Sequence, residues 1–486
     1  MLSERLLTTV VRACTKNYLK LKPTDETHVP APVPGQRYML YAHVPFCERL
    51  CPYCSFNRFP FKEERAVPYF ENMRKEMLML KELGYDFESL YVGGGTPTIM
   101  IDELCETIDL ARETFSIKEV SSETNPNHLI PSYLEKLKGR VQRLSVGVQS
   151  FDNDLLKQMD RYDKYGSGEE ILERIAEASP YFVSMNADMI FNFPAQTEDI
   201  LINDIERVVE SGASQTTFYP LMASPSVERS LARTVGPVDY TREQRFYTII
   251  DELLAGGENP LFTHGSSWTF NRLVPPACRP AERADAAASS GTQSRGVGEG
   301  SPAEAGFASA NPTISGTGET LADSDEPAEQ PRAMIDEYVV DYEEYPAIGS
   351  GGITYLGENL YVNTFSLAEY NAAIEAGRMS LMGKTTFSKR DRMRYRFMMQ
   401  LFGLRLDKVA WQRDFGCTVE AGLPVEMAFM KAAGAFATDT PEELTLTPKG
   451  RYLTVVMMRQ FFIGVNNLRD QARAALTGEE RELLFG

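Results

Sequence analysis

Histidine is scarce in this chain, at four among 486 residues. A zinc knuckle wants four ligands, often two C-x2-C pairs or cysteines with downstream histidines. The histidine nearest the cysteine-rich run, His43, lies upstream of it in an apolar, strand-like stretch. No uninterrupted apolar run reaches membrane-spanning length, which argues against a helical span. The first residues, Met1 to Lys22, carry Glu4, Arg5, Arg12, Lys16, Lys20 and Lys22, too many charges for a secretory signal. An excess of positive charge is lacking too. At a net −18 the average field repels a polyanion, so nucleic acid is not an expected partner. Cys14, Cys105, Cys278 and Cys417 stand far apart and read as free thiols of a reducing compartment. These absences predict a soluble, cytoplasmic protein. Its 43% hydrophobic content suffices for a large core with one or two smaller domains.

The other three cysteines are the most informative feature present. Cys47, Cys51 and Cys54 follow one another at C-x3-C-x2-C spacing in the run Tyr41 to Cys54. Three thiolates at this spacing can bind three irons of a cubane cluster and leave the fourth iron open for chemistry. A disulfide would leave an odd thiol, and zinc would lack its fourth ligand; the ligand logic favours the cluster over these alternatives.

From Tyr38 to about Phe270, short β-branched or aromatic runs alternate with amphipathic stretches, the pattern of parallel βα units. Strands are predicted over Tyr38 to Val44, Ser89 to Val92, Glu119 to Glu123, Arg143 to Gln149, Phe182 to Ile190 and Gln215 to Leu221. Helices are predicted over Pro68 to Leu83, Ile101 to Phe115, Asp152 to Met159, Gly168 to Ser179 and Glu198 to Gly212. The expected fold class is therefore α/β, a partial (β/α)6 barrel followed by a small, mainly helical C-terminal domain. Parallel barrels place their chemistry at the C-terminal strand ends, and the cysteines follow the first strand. The second strand runs into Gly93-Gly94-Gly95-Thr96, where absent side chains let backbone groups approach a ligand, although such a triplet also serves plain turns. Glu123, Gln149 and Asp188 sit at or near the next strand ends. Singly each reads as a satisfied core or capping group; together they suggest a polar barrel mouth.

These residues carry a resemblance. The cysteine loop with Tyr41-x-His43-x-Pro45-Phe46 before it, Gly93 to Thr98, Glu123 to Pro126, Arg143 to Phe151 and Asn186 to Ile190 resemble the radical S-adenosylmethionine (SAM) family. Within it, the chain is similar to oxygen-independent coproporphyrinogen III oxidases and their relatives the heme chaperones. The resemblance covers roughly residues 38 to 270, with a weaker echo through Ala347 to Tyr370 and beyond. It implies that Cys47, Cys51 and Cys54 hold a 4Fe-4S cluster whose free iron takes the amino and carboxylate groups of SAM. One electron then cleaves a carbon–sulfur bond to give a 5′-deoxyadenosyl radical. By the same resemblance Gly93, Gly94 and Gly95 meet the SAM amino group through backbone atoms, with Thr96 and Pro97 fixing the turn. Glu123, Gln149, Arg161 and Asp188 contact SAM, and Tyr41 packs near cluster and SAM. Arg140 and Arg143 compete with Arg161 for its role. The implied partners are a tetrapyrrole substrate or heme, and a low-potential electron donor such as flavodoxin or ferredoxin.

Two departures bear on the reaction. The oxidases carry a further cysteine two residues after the third ligand, where this chain has Phe56. The chaperones' histidine-asparagine heme pattern has its nearest echo in His264-Gly265, with glycine at the asparagine position. An anaerobic heme-modifying branch therefore stands beside oxidase and chaperone, with oxidative decarboxylation of coproporphyrinogen III as the leading reading. His264 and Trp268 are either contacts for a flat aromatic substrate or core residues of a last strand.

The remaining sequence divides as follows. Residues 1–37 read as a helical extension, 38–274 as the core barrel and 275–332 as a disordered, low-complexity insertion too poor in apolar residues to fold. The insertion parts Phe262 to Phe270 from Tyr338 to Tyr342, runs expected to be sheet neighbours. Residues 333–387 read as a return to the core sheet and 388–486 as a helical, winged-helix-like domain. Its helices are predicted over Asp391 to Phe402, Pro424 to Ala433 and Tyr452 to Phe462. The Phe397 to Leu401 and Met457-Met458 clusters read as core filler.

Overall fold

A computed structural model describes residues 2–273, 344–476 and 478–485. The 275–332 segment, Cys278 and Tyr338 to Tyr342 lie outside the described residues. The core is a sheet in which six parallel strands follow in sequence order: β1 (Met39–Val44), β2 (Ser89–Gly94), β3 (Glu119–Thr124), β4 (Arg143–Gln149), β5 (Ser184–Phe191) and β6 (Gln215–Pro220). Beyond β6 the sheet continues antiparallel through β7 (Phe262–His264) and β8 (Thr269–Arg272), with β8 next to β6. At the other edge β9 (Ala347–Ile348) lies parallel to β1. The order across the sheet is β7-β8-β6-β5-β4-β3-β2-β1-β9, and among the described residues its ends do not pair. This is the expected partial barrel, open rather than closed. Every residue of β1 is buried, as a strand covered on both faces requires.

Helices cover the outer face. After an N-terminal α1 (Leu2–Tyr18), α2 (Glu63–Glu82), α3 (Ile101–Thr114), α4 (Pro131–Leu137), α5 (Gly168–Ala178), α6 (Glu198–Glu210) and α7 (Glu243–Ala255) follow successive strands. Several begin at side-chain caps that satisfy otherwise orphaned N–H groups. Ser167 and Glu170 form a capping box on α5, and Thr197 accepts from Ile200 N on α6. Asp152, predicted inside a helix, caps one instead, accepting from Asp154 N and Leu155 N. The α2 helix starts five residues before the predicted Pro68, which lies within it. Glu63 and Glu64 suit its positive N-terminal end, and the N–H groups of Arg65 and Ala66 already bond to Lys62 O.

Part of the return segment joins the barrel as β9. The rest forms a separate antiparallel sheet of β10 (Ile353–Leu356), β11 (Asn359–Asn363) and β12 (Leu381–Thr386), which pairs with Lys22–Pro23. The C-terminal region runs from α8 (Lys389–Phe402) to β13 (Arg405–Asp407), β14 (Phe436–Asp439) and β15 (Glu443–Leu446), then into α9 (Pro448–Arg473). The last helix is capped by Thr447, which accepts from Gly450 N at 3.0 Å. It extends eleven residues beyond the predicted Phe462. Its second half departs from apolar periodicity because Asn466, Arg469 and Asp470 have partners elsewhere in the fold.

Candidate functional site

The cysteine loop leaves β1 and is pinned from several sides. Phe46–Cys47 pairs with Phe59–Pro60. Arg58 reaches back so that Nη2 donates to the carbonyls of Cys51 at 2.7 Å and Cys54 at 3.0 Å. His43 Nε2 lies 2.9 Å from the carbonyl of Asn57, which accepts, so Nδ1 is left to accept from Tyr41 Oη at 3.0 Å. Burial pushes His43 down to about 4 and Tyr41 well up. Both are neutral near pH 7 and fix each other's orientation.

The glycine turn at the end of β2 is seated against this loop. Gly95 N and Thr96 N donate to the carbonyls of Val44 and Phe46 at 2.7 and 2.8 Å. Gly94 has φ +113°, and a Cβ there would meet the His43 ring at 2.5 Å, so the position requires glycine. Glu123 at the end of β3 accepts from Gly94 N at 2.9 Å and from Tyr91 Oη at 3.0 Å. A Cβ at Gly93 would lie 2.7 Å from the same carboxylate.

A polar relay connects two of the thiols. Arg161 Nη1 lies 3.5 Å from Cys51 Sγ, while Nη2 donates to Asn125 Oδ1 at 2.9 Å and to the Gly147 carbonyl. Asn125 Nδ2 donates to Thr96 Oγ1 at 2.8 Å, and Thr96 Oγ1 reaches Cys47 Sγ at 3.7 Å. The buried Arg161 guanidinium sits 4.2 Å over the Tyr165 ring. The competing arginines are elsewhere: Arg140 pairs with Asp109 at 2.9 Å and Arg143 donates to Gln215 at 2.8 Å. Gln149 has φ +75° at a register shift in β4. Such strain in a non-glycine residue is commonly found at functional sites. Asp188 accepts from Ser145 Oγ at 2.8 Å and Asn186 Nδ2 at 2.7 Å.

Of the sequence-marked residues, Tyr41, Cys47, Cys51, Cys54, Gly94, Gly95, Glu123, Gln149, Arg161 and Asp188 line one cavity of about 380 Å³, whereas Gly93 and Thr96 are not part of its lining. The far wall is aromatic. Trp268 is fully buried, 4.6 Å from Phe402 and 5.5 Å from Tyr219 between ring centroids. His264 does not reach the cavity; it lies 2.6 Å from Asp251. The α9 helix contributes Phe461, Val465 and Arg469 at i, i+4 spacing, with Phe462 and Asn466 beside them. Arg469 lies 4.3 Å over the Phe56 ring, and Arg473 donates to the Phe56 carbonyl at 2.9 Å. Sequence reading missed this helix face; the i, i+4 spacing was its signal. Met399, read as core filler, is buried but also lines the cavity.

The donor set fits an iron–sulfur cluster. Among the described residues, no three His, Cys, Asp or Glu side chains close on a single ion, whereas a cubane spreads its thiolates around several irons. Burial pushes Cys47 up to about 12, so its thiolate form calls for a cationic centre beside it.

Comparison with known proteins gives the class. Residues 41–208 match the Radical SAM superfamily, a superfamily whose name implies a 4Fe-4S cluster and SAM. The chain is 32% identical over 193 residues to the heme chaperone HemW of Bacillus subtilis, covering 38% of this chain and 50% of that protein. It is 29% identical over 205 residues to the oxygen-independent coproporphyrinogen III oxidase of Helicobacter pylori, covering 40% of this chain and 44% of that protein. The matches thus span about half the length of these relatives. In fold the chain is similar to coproporphyrinogen III oxidase (HemN) from Escherichia coli, with TM-score 0.62 and 20% identity over 87% of this chain and 90% of that one.

Proposed function

We propose that this protein is a radical SAM enzyme acting on a tetrapyrrole, by oxidative decarboxylation of coproporphyrinogen III to protoporphyrinogen IX. The observation that carries this reading is one cavity lined at one end by the three thiols with Glu123, Arg161 and Asp188 and at the other by Tyr219, Trp268 and Phe462, polar chemistry suited to a charged sulfonium ligand beside rings suited to a flat macrocycle. Cys47, Cys51 and Cys54 would hold the cluster, which when bound supplies the electron that cleaves SAM. The backbone of Gly93, Gly94 and Gly95 would face the SAM amino group, with Glu123 keeping the turn in place through Gly94 N. Arg161 suits a carboxylate, Asp188 or Glu123 suits hydroxyl or amino groups, Gln149 would add a further SAM contact, and Tyr41 would pack close to the cluster and SAM. On the substrate side, each of two propionates would give a β hydrogen atom to a 5′-deoxyadenosyl radical, pass one further electron to an external one-electron acceptor and release carbon dioxide, leaving a vinyl group.

The test is anaerobic incubation of the cluster-reconstituted chain with SAM, a reductant and coproporphyrinogen III, followed by mass analysis of tetrapyrrole and 5′-deoxyadenosine. Loss of two carboxyl groups coupled to SAM consumption is expected. Unchanged coproporphyrinogen would sink this reading. A second reading, heme trafficking or heme modification, is favoured by Phe56 in place of the oxidases' further cysteine. The same assay with heme separates the two: a chaperone leaves heme intact, and a modifying enzyme does not.

A further inference from the structure

Four arginines line the cavity, and their commitments differ. Arg49 pairs with Asp160 at 3.4 Å. Arg161 commits both terminal nitrogens, to Cys51, Asn125 and Gly147, and leaves only its inner Nε buried without a partner among the described residues. Arg469 lies over Phe56 on the aromatic side. Arg58 is built differently. Its Nη2 is fixed by two carbonyls of the cysteine loop, Cys51 and Cys54. Its Nη1 is buried and has no hydrogen-bond partner among the described residues. A buried, unpaired guanidinium N–H costs free energy unless something accepts from it. All three cluster thiols act electrostatically on this guanidinium, so it stands in the field of the loop it holds.

We propose that Arg58 is the fixed counter-charge of the 4Fe-4S cluster, a positioning residue whose unpartnered Nη1 would be free to donate to it and whose charge makes one-electron reduction easier. The inference rests on the cluster reading above and extends it. Three thiolates around the oxidised core leave a net negative charge, and the entering electron adds one more with no proton to balance it. A cation held in a poorly solvated site favours the more negative state, and hydrogen bonds to sulfur and local charge are among the levers that set cluster potentials. Two carbonyl contacts through one nitrogen hold the fork in place, so the charge is present before the electron arrives.

The test is a redox titration of the reconstituted full-length chain, read by electron paramagnetic resonance of the reduced cluster, on wild type, Arg58→Gln and Arg58→Lys. Arg58→Gln is expected to hold the same iron and sulfide per chain. At a fixed solution potential its ratio of reduced to oxidised cluster falls about tenfold, equal to ~59 mV for a one-electron couple. Arg58→Lys, which keeps the charge and loses the fork, falls between the two. Equal potentials in wild type and Arg58→Gln overturn the proposal. If Arg58→Gln fails to retain the cluster, Arg58→Lys decides: a loaded cluster close to the wild-type potential supports the counter-charge, and a lost or strongly shifted cluster overturns it. A wild type that takes up no iron removes the cluster reading itself, an outcome distinct from a loaded cluster indifferent to Arg58.

Discussion

The two ends of the cavity are assembled by opposite means. At the thiol end, the lining residues come from the ends of consecutive strands and the loops after them, and much of the bonding is done by backbone: Gly94 N, Gly95 N and the carbonyls of Val44 and Phe46. At the aromatic end, Tyr219, Trp268, Met399 and Phe462 come from stretches far apart in sequence, and side-chain bulk does the work. A turn that bonds backbone to backbone tolerates little change, because each orphaned N–H or added Cβ carries its own penalty. A wall of packed rings can be re-contoured one side chain at a time. Under the proposed function, the thiol end would set the type of reaction and the aromatic end what reacts.

The strongest way to break that contrast is Cys51→Ala, which is expected to abolish cluster assembly and SAM cleavage together, as read by iron content and 5′-deoxyadenosine. Retention of both would remove the thiol end from the chemistry. Next comes Trp268→Ala, expected to lower stability by about 3–5 kcal/mol in denaturant unfolding, the usual cost of deleting a large buried ring. A loss below about 1 kcal/mol would mean the wall is loosely packed.

The seam between barrel and second sheet gives a pH test. Glu76, on α2, accepts from Gly349 N at 2.7 Å and from Tyr370 Oη at 2.8 Å. Burial pushes its carboxyl from 4.5 up to about 7. The native state therefore holds a proton that the unfolded chain releases above about 4.5, so the Glu76 contribution is present at low pH and is lost as pH rises towards 7. Stability of the wild type relative to Glu76→Gln should fall by about 3 kcal/mol over that window and stay flat above it. His43, pushed down to about 4 from 6.5, acts in the opposite sense, costing stability as pH falls from about 6.5 to 4. It is present in both proteins, so it cancels in the difference. A difference independent of pH would show Glu76 to be ionised in the fold. The smallest effect is expected from Phe462→Ala, a roughly tenfold weaker binding of tetrapyrrole, or ~1.4 kcal/mol, with iron content as internal reference. Loss of iron with unchanged tetrapyrrole binding would reverse the assignment of the two ends.

The parallel strands, the cysteine loop and the glycine turn were legible in the sequence because each is encoded locally. Strand periodicity, C-x3-C-x2-C spacing and a glycine triplet all act within a few residues. Three features were not. The start of α2 was read at Pro68 because apolar periodicity begins late there, whereas Glu63 and Glu64 and the Lys62 carbonyl start the helix earlier. His264 and Trp268 were read as a pair, yet Asp251 draws His264 away while Trp268 packs on Phe402. The last helix was cut short at Phe462 because Asn466, Arg469 and Asp470 look like a helix end until their partners Met222, Phe56 and Ser226 are in view.

The sequence by itself determined the parallel strands, the C-x3-C-x2-C loop and the glycine turn, since cysteine spacing and strand patterning depend on neighbours along the chain. Only the tertiary structure decided which arginine meets the thiols, which aromatic residues face them and that α9 spans Phe56. Those choices are made by contacts between segments hundreds of residues apart, such as Arg473 with Phe56, where burial and unpaired donors, rather than periodicity, settle the outcome.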